Sequence, residues 1–155
     1  MIVTVDTNIV INACKKSSWE HIDVLSMIRT RLHTLGLDVE GQILAEYRRN
    51  CSGIELFEKW FLEVWQRVYQ VSGRLDNRHV AQLTKLGCHE PEDHVFVAVA
   101  CKTDHYLVTE DSDMAKGNIA RALANAAVAE YLRDAMELTV HDANEARTRL
   151  SGATT

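Results

Sequence analysis

The stretch Glu90–Met114, EPEDHVFVAVACKTDHYLVTEDSDM, decides the fold. Two apolar runs sit in it, Val95–Cys101 and Tyr106–Val108, and carboxylates crowd its outer ends. Glu90, Glu92 and Asp93 precede the first run, and Glu110, Asp111 and Asp113 follow the second. Pro91, the only proline, suits the first turn of a helix, where a missing N–H costs nothing. Val95–Cys101 is apolar nearly all round, which predicts a central helix covered on several sides. His105–Thr109 reads as a strand.

Outward from there, the same alternation recurs. Met1–Val5 is short and β-branched and reads as a buried strand ending at Asp6. A short helix is expected over Ile9–Lys15 and a longer one over Trp19–Leu35, stopped by Gly36. Leu37–Val39 reads as a strand, and Gly41 opens a helix that Gly53 breaks. Ile54–Val71 has the period of an amphipathic helix, with Phe57, Trp60, Phe61, Val64, Trp65 and Val68 as its stripe. Core packing is the default for such a stripe, and a partner surface is the alternative. Helices are expected at Asn77–Leu86, Ala120–Ala135 and Asp142–Leu150, a short turn of helix or loop at Asp111–Met114, and a last strand at Glu137–Val140. Strands alternating with helices predict an α/β fold with a parallel sheet. One domain over residues 1–150 is expected, with residues 151–155 a disordered tail.

Composition narrows the function. The chain has 155 residues, of which 46% are hydrophobic, enough for a sizeable core. It offers no window of about 18 unbroken apolar residues to span a membrane. Met1–Asp6 lacks the basic region and cleavage site of a signal peptide, so a cytoplasmic location is expected. Cys14, Cys51, Cys88 and Cys101 form no C-x-x-C pair and read as buried free thiols. A formal charge of −5 argues against a broad electrostatic grip on nucleic acid, yet leaves room for a basic rim around an acidic pocket.

The acids are the informative residues. In open parallel sheets, sites form beyond the carboxyl ends of the strands. Asp6 and Asp111 stand at two such ends, Asp93 falls in the first turn of the central helix, and Glu46 lies mid-helix among apolar neighbours. Each has a bland explanation. Asp6 suits a helix N-cap, Asp93 a helix dipole, Glu46 a half-exposed helix face, and Asp111 with Asp113 a turn. Together at one edge of a sheet they would repel, and a hard divalent cation, Mg²⁺ or Mn²⁺, relieves that conflict.

The order of these motifs resembles the PIN-domain nuclease family. The matching pieces are IVTVDTNIVINA from Ile2, QILAEYRRN from Gln42, EDHVFVAVA from Glu92 and YLVTEDSDM from Tyr106. The resemblance runs from Met1 to about Val140. It implies a three-layer α/β/α fold around a parallel sheet of four to five strands. It also implies a catalytic set of Asp6, Glu46, Asp93 and Asp111, with Asp6, Asp93, Asp111 and Asp113 as metal ligands. Asn8 and Thr109 match the polar residues that orient such sites. Glu46 is the loosest match, with Glu40 as its substitute. The implied activity is hydrolysis of RNA by a Mg²⁺- or Mn²⁺-dependent endonuclease. Proteins of this size in the family are often VapC-type toxins, held by an antitoxin and commonly homodimeric. The Trp60–Trp65 segment is a candidate for such an interface.

Basic residues near the acids would contact phosphate. Lys15–Lys16, Arg48–Arg49 and Lys116 are available, and Arg48 and Lys116 lie nearest the acids in sequence. Three rivals remain. One is a non-catalytic PIN-like module that binds RNA or protein. A second is a haloacid-type phosphatase, which needs an Asp where Asn8 stands. The third is a zinc site from Cys88, His89, His94 and Cys101, whose spacing is poor.

Overall fold

The computed structural model describes residues 1–152. It contains a five-stranded, all-parallel sheet in the order β3-β2-β1-β4-β5. The strands are β1 (Ile2–Val5), β2 (Thr34–Asp38), β3 (Val68–Val71), β4 (Tyr106–Val108) and β5 (Thr139–His141). Between them run α1 (Thr7–Cys14), α2 (Trp19–Thr30), α3 (Gln42–Cys51), α4 (Glu55–Val64), α5 (Asn77–Leu86), α6 (Pro91–Cys101), α7 (Ile119–Ala124) and α8 (Ala126–Asp134). After β5 comes α9 (Ala143–Leu150), opened by a reciprocal capping box between Asp142 and Glu145.

The strand order fixes the layers. The chain steps from β1 outward to β2 and β3, then returns to the other side of β1 for β4 and β5. Right-handed crossovers therefore put α1–α4 on one face and α5–α8 on the other. Contacts agree. α1 packs on α2, α3 and α4, and α9 joins that layer against α2, whereas α6 lies across β1, β2 and β4, and α5 packs on α8. The reversal falls between β1 and β4, which pair Val5 with Val108. That switch point is where the sheet opens a crevice at its carboxyl edge.

α6 is the central helix its composition predicts. His94 through Ala100 are all buried, with Pro91 in the first turn. The aromatic stripe of α4 goes to the core. Phe57, Trp60, Phe61 and Val64 are buried, and the Trp60 indole donates to the Leu25 carbonyl at 2.8 Å. No described helix is long and apolar enough to cross a membrane.

The structure corrects three element boundaries. Gly36 does not stop a helix; it lies mid-strand in β2. A Cβ there would sit 3.1 Å from both Thr4 Oγ1 and Val99 Cγ1, so the glycine lets α6 and β1 close on β2. α2 ends earlier, where Leu32 adopts a left-handed φ of 57° and His33 N–H bonds back to Ile28 O. The expected Ile54–Val71 helix gives way after Val64 to a 3₁₀ turn and then to β3. Val68 and Val71 continue the helical period by coincidence, and their pairing with Leu35–Asp38 wins. The Ala120–Ala135 helix is broken at Asn125, whose Nδ2 donates to Ser112 O at 2.8 Å. The tail expected over 151–155 lies, from residue 153 on, outside the described residues.

Gly36→Val adds a residue of high β-propensity where there is no room for it. We expect a loss of about 1–3 kcal/mol in urea unfolding, since overpacking outweighs propensity. Unchanged stability would contradict the close approach of α6.

Candidate metal centre

Each carboxylate is carried to the carboxyl edge by a different element. Asp6 follows β1, and its backbone N–H bonds to Val108 O at 2.9 Å, continuing the β1–β4 ladder. Its side chain makes no capping bond to α1, so the N-cap explanation fails. Instead Asp6 Oδ2 accepts from Thr109 Oγ1 at 2.7 Å, and Asn8 Nδ2 approaches the same oxygen at 3.4 Å. Thr109 is fully buried, and its hydroxyl also accepts from the Asp111 N–H at 2.9 Å. One hydroxyl thus ties both strand-end acids together. Asn8 adds a second stitch, accepting from the Glu110 N–H at 3.1 Å.

Asp93 comes from the first turn of α6 on the opposite layer. It shares a helical face with Val97 and Ala100, which are fully buried. Asp6, Asp93 and Asp111 each offer a carboxylate oxygen, and these oxygens lie within 4.8 Å of one another. Asp111 serves the turn as well, with Oδ1 accepting from Asp113 N at 2.9 Å.

The electrostatics follow from crowding and burial. Burial, with the fields of Asp111 and Glu46 beside it, pushes Asp6 up to about 7 despite the Thr109 hydrogen bond. Asp93 is raised more strongly, again by burial first and then by Asp111. Glu46 is also raised by burial, with the Glu92 charge adding to it. Three carboxylates whose oxygens lie within 4.8 Å of one another form a donor set suited to a hard divalent ion.

Of the expected site residues, Asp6, Asp93 and Asp111 converge, and Asn8 and Thr109 bond to that cluster. Glu46 and Asp113 flank it, close enough for their charges to act on Asp6 and Asp93. Glu40 is spent elsewhere, accepting from the Gly73 N–H at 2.6 Å. Lys116 is paired with Glu145 at 2.8 Å. Arg48 is exposed, and it is Arg49 that shares a cleft with Glu46. Helical spacing carries that distinction, since i+3 shares a face with i and i+2 does not. Glu110, next to Asp111, turns away to accept from Ala143 N at 3.1 Å and to meet His21 Nε2 at 3.0 Å. Tyr47, fully buried in α3, donates its hydroxyl to the Val5 carbonyl just before Asp6.

The zinc reading finds no support. His94 Nε2 is engaged with the Cys88 carbonyl at 2.7 Å. Among the described residues the acidic triad is the one group of three metal-binding side chains. The thiols of Cys14 and Cys88 are pushed up to about 12 by burial, which keeps them inert.

The fold is the PIN-like α/β/α arrangement around a parallel sheet that the motifs imply. One solved structure similar to it is that of VapBC2 from Rickettsia felis bound to a DNA fragment from their promoter, with a TM-score of 0.52. The likeness covers 92% of this chain and 98% of that one at 16% sequence identity, so it is a likeness of fold. No family model and no curated protein matches the sequence.

The raised carboxyls set a pH dependence. A carboxyl with a folded value of about 7 against an ordinary aspartate value of 3.8 holds its proton longer in the folded state. Its contribution to stability is full below about pH 4 and is lost as pH rises through 7. Without metal, Asp6→Asn should therefore flatten that decline and gain on the order of 2–4 kcal/mol at pH 8 in chemical denaturation. A parallel pH profile in the variant would show that Asp6 is not the strained group.

Proposed function

We propose that this protein is a metal-dependent endoribonuclease that hydrolyses RNA phosphodiester bonds. The carrying observation is the convergence of Asp6, Asp93 and Asp111 at the switch point of a PIN-like sheet. These three residues would hold a Mg²⁺ or Mn²⁺ ion. Such an ion, when bound, offsets charge on the phosphate and lowers the pKa of water. Thr109 holds the Asp6 carboxylate in place and fixes the Asp111 backbone, so two ligands are preset by one side chain. Asp113 is linked to Asp111 through its N–H and supports that ligand. Glu46 is raised above the ordinary glutamate range, which suits a group that takes a proton from the attacking water.

The regulatory setting belongs to the same reading. The VapBC2 assembly has the same fold in one of its chains, which supports an antitoxin partner and a toxin's role for this protein. We place it in the cytoplasm as a homodimer with one domain over residues 1–150. Lys116, though paired with Glu145, lies on the loop after Asp111 and can exchange that partner for phosphate.

A labelled RNA incubated with Mn²⁺, with and without EDTA, separates this enzyme from a non-catalytic binding module. Cleavage should require the metal. Asp6→Asn, Asp93→Asn and Asp111→Asn should each lower kcat/KM by at least about 100-fold, as loss of a ligand exceeds loss of its support. The rise in thermal midpoint with Mn²⁺ should vanish in the same variants. Undiminished cleavage by the Asp93→Asn protein would overturn the ligand set.

A further inference from the structure

Beside the acidic triad, α3 and α6 frame a second feature. A cleft of about 240 Å³ opens between them, lined by Gln42, Glu46, Arg49, Glu92, Val95 and Phe96. It adjoins the triad, since Glu46 acts on Asp6 and Glu92 precedes Asp93. Its volume is below the usual range of about 300–1,000 Å³ for drug-sized ligands, so it suits one small ring system. Val95 and Phe96 are buried beneath the floor, and the exposed Ala45 adds an apolar surface to it. Glu92 and Arg49 are exposed at the rim. Arg49 makes no ion pair or hydrogen bond among the described residues, although Glu46 is near enough to feel its charge. Its guanidinium donors are therefore free.

We propose that this cleft binds one unpaired guanine of the RNA strand next to the scissile phosphate. The inference rests on the nuclease reading above. A phosphate fits poorly, because Glu46 and Glu92 would repel it. An uncharged base has no such conflict. Guanine offers two acceptors, O6 and N7, which an arginine fork binds bidentately. It also offers N–H donors on its Watson–Crick edge, which a carboxylate accepts. Adenine presents one acceptor and one donor on the groove edge and lacks the acceptor pair. Arg49 takes O6 and N7, Glu92 takes the Watson–Crick edge, and the ring lies over the exposed Ala45 methyl beside Val95. Because that edge is free only in unpaired RNA, the site selects single-stranded segments.

The test uses short uridine-rich RNAs with guanine, adenine, cytosine or uridine at one position. Binding to the wild-type chain is followed by fluorescence anisotropy in EDTA, and cleavage by kcat/KM in Mn²⁺. Guanine should be preferred by about tenfold or more, the worth of one bidentate pair. Replacing it with 7-deazaguanine should remove most of that preference in the wild type and change nothing in Arg49→Ala. Glu92→Gln should likewise lose sensitivity to N1-methylguanine. Cleavage without base preference, or a preference that survives in Arg49→Ala, overturns the guanine site and leaves the nuclease standing. An equal loss for all four RNAs in Arg49→Ala assigns the arginine to phosphate and also overturns it. RNA neither bound nor cut overturns both readings.

Discussion

Mutual repulsion among Asp6, Asp93 and Asp111 is the constraint on which the rest of the structure bears. Three carboxylate oxygens within 4.8 Å at a partly buried edge oppose folding. The fold holds them there because their backbones are fixed by interactions that ignore the charge. The β1–β4 register pairs Val5 with Val108, so the next residues, Asp6 and Thr109, must be neighbours. Tyr47 clamps the Val5 carbonyl, and the Thr109 hydroxyl bridges to Asp6. Asp93 is delivered by a helix whose following seven residues are all buried. Moving the acid away would mean pulling α6 out of the core.

That arrangement separates where stability comes from and where it is spent. The apolar layers on both faces of the sheet supply the folding free energy, and the edge above them carries the penalty. Such a division keeps the site rigid before any ligand arrives. It also explains the stitched loop after β4. Glu110 reaches α2 through His21 and α9 through Ala143, while Asn8 holds its N–H. The short loop that carries Asp111 is tied to three elements, so the ligand cannot relax away from its neighbours.

Much of this was legible in the sequence, and the failures have physical causes. The acids at strand ends and the helix from Pro91 could be read because a parallel sheet puts its sites at one edge and α6 is apolar on all sides. Gly36 misled because a glycine after a helical period signals a C-cap, whereas here it marks the close approach of α6 to a strand. The true stop, Leu32, is a left-handed non-glycine, which no propensity announces. Val68–Val71 deceived because apolar residues at helical spacing also suit an edge strand. Arg49 shares a cleft with Glu46 because residues three apart lie on one helical face, a relation that distance along the chain does not reveal.

What distinguishes the site from the scaffold is the donors each acid receives, and residue type alone does not reveal it. Asp38 is as buried as Asp6 and also ends a strand, yet it accepts from the N–H groups of Gln42 and Ile43, both at 2.8 Å. It is a cap for α3. Glu40 is consumed by Gly73, Asp76 caps α5, and Asp142 caps α9. Asp93 accepts no backbone N–H and no cation among the described residues, and its strongest neighbour is another carboxylate. A half-buried acid left without such donors is the kind of group that a cation from outside the chain would neutralise. By that criterion the centre is defined by Asp93 more than by Asp6, because Asp6 has a hydroxyl and Asp93 has only other acids.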